Sequence, residues 1–101
     1  MLSPKANNII NEIEADLNDS FTKFKYSDFF ISCANDLVPV LYEKHNLLIE
    51  NWYQVYNAKT FDVASEVINH FINMGFDGDK GEASDEFIFV YIYKKEKHTI
   101  P

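Results

Sequence analysis

The sequence predicts an α+β fold in which three helices pack on a small β-sheet as a single pair of layers. Three observations carry that expectation. Residues 86–94 alternate Phe87, Phe89, Tyr91 and Tyr93 with Ile88, Val90 and Ile92, a strand apolar on both sides. Two upstream segments carry apolar stripes at helical spacing behind good capping residues, which suits the layer that must cover such a strand. Finally, 101 residues at 47% hydrophobic content suffice for one core and are too few for two, so residues 1–101 are expected to form a single domain.

The first helix starts at Ser3, a capping residue, with Pro4 at the first helical position, where its missing N–H costs nothing. Ala6, Ile9, Ile10, Ile13 and Leu17 then share a face, and Asn7, Asn8, Asn11, Glu12, Glu14 and Asn18 form the solvated one. Residues 21–26 mix aromatics with lysine and read as an aromatic-anchored loop, with a short edge strand as the alternative. A second helix is expected from Ser27 or Asp28, with Phe29, Phe30, Cys33, Ala34, Leu37 and Val38 on one face. Pro39 interrupts it, and residues 40–45 add a further turn or two.

Alternation returns over residues 49–57, read as a strand, the competing reading being a helix continued from the Pro39 region. The third helix has the clearest signals. Thr60 caps it, Phe61, Ala64, Val67, Ile68, Phe71 and Ile72 form its stripe, and Gly75 followed by Phe76 ends it. It joins the two strands, which would require a right-handed crossover if they were adjacent and parallel. An acidic loop, 77–86, leads into the last strand, and residues 95–101 are expected to fray.

Composition excludes several function classes. A net charge of -7, with nine cationic side chains that are all lysine, disfavours direct nucleic-acid binding and points towards a basic protein partner. No apolar run approaches a membrane span, and the N-terminus lacks the basic start and apolar centre of a secretory signal, so a cytoplasmic location is expected. The single cysteine, Cys33, agrees with a reducing compartment. It lies on an apolar stripe and reads as a buried structural thiol rather than a nucleophile, because nothing places His45, His70 or His98 beside it. No histidine pair falls within one helical turn, as a zinc site would want. The series Asp77-x-Asp79-x-Gly81 is superficially like a calcium loop, yet it puts Glu82 where the glycine belongs and Ile88 where the bidentate carboxylate belongs. No phosphate loop or nucleophile elbow occurs. The sequence therefore predicts no enzyme, no cofactor and no metal.

What remains is a surface for a protein. Asp77, Asp79, Glu82, Asp85 and Glu86 suit lysines and arginines on a partner, and Trp52, Tyr53, Tyr56, Tyr91 and Tyr93 supply the large rings that interfaces favour. The Phe87, Phe89, Tyr91 and Tyr93 side of the last strand is either a second core layer or the edge of that surface. The opening Leu2-Ser3-Pro4-Lys5-Ala6, and the plan of helix, glycine stop and closing strand from Ala64 to Tyr93, resemble bacterial toxin immunity proteins of the colicin and contact-dependent growth-inhibition types. The resemblance assigns no residue a role. It implies a monomer that neutralises a cognate basic nuclease toxin by occluding its active site. A phage-type inhibitor that mimics nucleic-acid charge, and an accessory subunit of a larger complex, are the alternatives.

Overall fold

The computed structural model describes residues 2–80 and 88–101. Ser3 caps helix α1 (Pro4–Ser20) by accepting from the Ala6 amide at 3.2 Å, and Ala6, Ile9, Ile10, Ile13 and Leu17 are its buried face. Thr60 caps helix α2 (Phe61–Met74) in the same way, accepting from Val63. Gly75 ends α2 at φ 121°, in the region that side chains avoid, and Phe76 folds back onto Phe71 with ring centroids 4.9 Å apart. The start of α1 is tied to the second turn of α2, since the Ser3 hydroxyl donates to Glu66 at 2.8 Å.

Four strands form the sheet: β1 (Phe29–Ala34), β2 (Tyr53–Asn57), β3 (Asp77–Gly78) and β4 (Phe89–Lys94). Their order is β2-β4-β1-β3. β4 pairs antiparallel with both neighbours, Tyr56 opposite Val90 on one side and Cys33 opposite Val90 on the other, while β3 runs parallel to β1. β2 and β4 are thus adjacent but antiparallel, so α2 is not a parallel crossover between them.

The expected second helix is a strand. Residues 29–34 are buried without interruption, with Phe29, Ile31 and Cys33 turned to one side of the sheet and Phe30, Ser32 and Ala34 to the other. A central strand with both faces covered is apolar at nearly every position, and such a run also satisfies helical spacing. The third helical segment lies further on, a six-residue π-helix at Pro39–Lys44 opened by the proline and closed by His45 N–H donating to the Val40 carbonyl. Residues 21–25 form a loop, as expected, and a single 3-10 turn at Tyr26–Asp28 leads into β1.

Both faces of the sheet are covered, so the single pair of layers gives way to a sheet between two covers. α1 and α2 bury Ile88, Val90 and Ile92 together with Phe29, Ile31 and Tyr56. On the opposite face Leu41 of the π-helix and Leu47 close over Phe30, Ala34, Tyr91 and Tyr93. Each such large apolar side chain contributes about 1.5–3 kcal/mol by leaving water. Residues 99–100 do not fray, since Ile100 N–H donates to the His45 carbonyl at 2.9 Å and Thr99 is buried. Among the described residues no helix is long and apolar enough to cross a membrane.

Candidate functional site

The residues expected to meet a partner separate into four groups. Asp77 and Asp79 are exposed at the β3 edge, where Asp77 pairs with Lys95 at 3.4 Å and Asp79 accepts from the Ser32 hydroxyl at 2.5 Å. Glu82, Asp85 and Glu86 lie outside the described residues, as does Phe87 at the start of the expected strand. Trp52 and Tyr53 are half-buried at the opposite, β2, edge. With β4 and β1 in between, the two edges are about three strand spacings apart, roughly 14 Å. Asp77 and Asp79 are therefore not in one patch with Trp52 and Tyr53.

Tyr56, Tyr91 and Tyr93 must be removed from that surface, because all three are buried. Tyr91 and Tyr93 belong to the second core and Tyr56 to the first, where its hydroxyl donates to Asp16 at 2.5 Å. Burial raises the pKa of each of these phenols first of all, and for Tyr56 the Asp16 hydrogen bond and the charges of Asp16 and Glu12 act in the same direction.

The second core conceals a polar chain. His45 is fully buried, with Nδ1 2.6 Å from the Ile100 carbonyl and Nε2 2.7 Å from the Tyr91 hydroxyl. A carbonyl only accepts, so Nδ1 carries the proton and Nε2 accepts from Tyr91. Tyr93 donates towards the same carbonyl at 3.4 Å. Burial lowers the His45 pKa, the Ile100 carbonyl opposes the shift, and the charge of Lys44 adds to it. This arrangement is not a nucleophile and its base, since the Ser32 hydroxyl is turned to Asp79 and both ring nitrogens of His45 are taken. The Cys33 thiol donates to the Lys80 carbonyl at 2.9 Å, and burial followed by the charge of Asp79 pushes its pKa up to about 11. That is the reverse of thiolate activation. A cleft of about 540 Å³ opens between β1 and the π-helix, where Cys33, Val40, Lys44, Asp79, Lys80 and Tyr91 line it. Among the described residues, no group of three metal-ligating side chains gathers there or elsewhere.

The surface that does assemble lies on α1 and β2. Glu12, Asp16 and Asp19 follow at intervals of four and three along α1, hence on one stripe. The Tyr56–Asp16 bond and a 3.1 Å bond from the Trp52 indole to Ser20 fasten that stripe beside β2. Among the described residues the ion pairs are Lys94–Glu96 and Lys95–Asp77, which leaves the α1 carboxylates without a cation. Next to them Trp52 packs edge-on to Phe21 and Phe29, whereas Tyr53 turns to the other face of the sheet, where its hydroxyl lies 3.5 Å from that of Tyr42. Sequence reading placed Glu12 on a solvated face and passed over Asp16 and Asp19. The signal available was a run of acids on one helical stripe with no lysine three or four residues away within the helix. Compared with known proteins, the chain matches no family model, no curated protein and no solved structure.

Proposed function

We propose that the protein is a non-catalytic binder of the toxin-immunity kind, which neutralises a basic nuclease by covering its active site. The observation that carries this reading is the stripe of uncompensated carboxylates on α1 beside the half-buried Trp52 at the start of β2, in a chain of net charge -7. Carboxylates beside lysine- and arginine-rich surfaces speed encounter, and the Trp52 ring gives apolar contact that slows release. Neutralisation of such a nuclease belongs in the cytoplasm, before it reaches nucleic acid, with one copy of the chain on each toxin domain.

The test is co-purification with the product of the neighbouring gene, and inhibition of any nuclease activity that product carries. Stoichiometric inhibition is expected, with an association rate that falls by about tenfold or more from low to high salt, because screening shortens the reach of the carboxylates. A salt-independent rate, or an unprotected nuclease, would remove the reading. The same row of carboxylates on α1 favours a second reading, mimicry of a nucleic-acid backbone. Under that reading one copy inhibits many unrelated nucleic-acid-binding proteins, whereas an immunity protein protects against one.

A further inference from the structure

We infer that β2 is an open slot for a strand, filled by an extended lysine- or arginine-rich segment of the partner. The inference rests on the reading of the chain as a binder of a basic protein, and names the element and mode of that binding. The ladder between β2 and β4 fixes which backbone groups are free. Lys94 N–H donates to the Trp52 carbonyl at 3.2 Å and Ala58 N–H to the Ile88 carbonyl at 3.0 Å. Both bonds put the even-numbered residues of β2 in the hydrogen-bonded pairs with β4. Tyr53, Val55 and Asn57 therefore direct their N–H and C=O groups outwards, and among the described residues β2 ends the sheet on that side. The other face of β4 agrees with this parity: Lys95 N–H donates to the Asp28 carbonyl, so its odd-numbered residues serve β1.

Sheet edges of natural proteins are usually blunted by charge, proline or extreme shortness. β3, at the opposite edge, is two residues long and carries the Asp77–Lys95 pair. β2 has the sequence Tyr-Gln-Val-Tyr-Asn, with no charge, proline or glycine, and no residue in it is buried except Tyr56. Such an edge accepts an added strand through its backbone. Charge selects the occupant. Glu12 and Asp16 lie close enough to Tyr56 to act on its phenol, and Asp19 continues the row. Lys94, at the Trp52 end, is engaged by Glu96 and by the Phe21 ring at 5.6 Å. An incoming strand thus runs beside carboxylates, which favours alternate lysines or arginines in it. A second copy of the chain is disfavoured, because pairing two β2 edges about a twofold axis brings two acidic α1 helices together on the same face.

Amide exchange on the natural chain tests this directly, with two synthetic octapeptides as probes, one alternating lysine with threonine and the other glutamate with threonine. The lysine peptide should slow exchange at Tyr53, Val55 and Asn57 by about tenfold or more, and leave Gln54 and Tyr56, already bonded to β4, unchanged. The glutamate peptide should protect none of them. Val55→Pro removes an outward N–H without touching the β2–β4 ladder, so it should weaken the lysine peptide by about tenfold while the free chain still melts cooperatively. The exchange measurement decides the matter even if V55P fails to fold. Equal protection by both peptides, no protection by either, or protection of the free chain that grows with its own concentration would each overturn the proposal. If a cognate nuclease is inhibited while these three amides stay unprotected, only the slot is lost and the neutralising role stands.

Discussion

At the residue scale, His45 is the side chain whose role the sequence least suggested. Its burial among Phe30, Tyr91 and Tyr93 is tolerable only because both ring nitrogens are bonded, one to the last turn of the chain and one to β4. Because burial lowers its folded pKa, the folded and unfolded chains bind protons alike above the unfolded value of about 6.5. Below that pH the unfolded chain takes up a proton that the fold resists, and stability is lost as the pH falls towards the folded value. A series of thermal melts should therefore show the Tm declining between about pH 7 and pH 5, above the range in which carboxylates titrate. His45→Gln should lower the Tm and flatten that decline; an equal decline in the variant would separate it from His45. Gly78 is decisive for a different reason. A Cβ at this position would meet the Ile31 carbonyl oxygen across the β1–β3 pair. Gly78→Ala should cost about 1–3 kcal/mol in a denaturant melt, through displacement of β3.

At the scale of elements, α1 and α2 are as the sequence describes them, because each is set by local chemistry: a capping hydroxyl, an apolar stripe and, for α2, a glycine stop. The strand expected over 86–94 corresponds to β4, whose Val90 has no exposed surface and sits between β1 and β2. Val90→Asp puts a carboxylate in the first core with no cation near, at a cost of about 4 kcal/mol or more, a large share of the roughly 5–15 kcal/mol that stabilises a small domain. Circular dichroism should find V90D unfolded or nearly so at room temperature, and a melt like that of the natural chain would contradict the sheet register. The expected strand over 49–57 shortens to Tyr53–Asn57, since Leu48 and Asn51 close a turn before it. β1 was illegible for a physical reason. Phe29, Phe30, Cys33 and Ala34 fit a helical stripe and a doubly buried strand equally well, and only the presence of a cover on each side distinguishes the two.

At the scale of the whole molecule, the second cover holds the fold in its final form and decides which tyrosines a partner can touch. Removing residues 99–101 deletes the Ile100 carbonyl, leaves the His45 Nδ1 proton without its acceptor, and should destabilise by about 1–3 kcal/mol. Calorimetry of the truncated chain measures this, and an unchanged Tm would mean that the C-terminal residues are not part of the fold. The same cover explains why the aromatic half of the expected surface was misjudged. Alternation identified the Tyr91 and Tyr93 side as apolar, and its covering elements, the π-helix and the last turn, have no alternation of their own. Composition and period by themselves determined the acidic character, the α+β class, the two capped helices and the β4 strand, since these depend on near neighbours in the chain. Tertiary structure alone decided the strand order and the burial of Tyr56, Tyr91 and Tyr93. It also placed the α1 carboxylates beside the open edge of β2, because these are contacts between residues tens of positions apart, which no local pattern encodes.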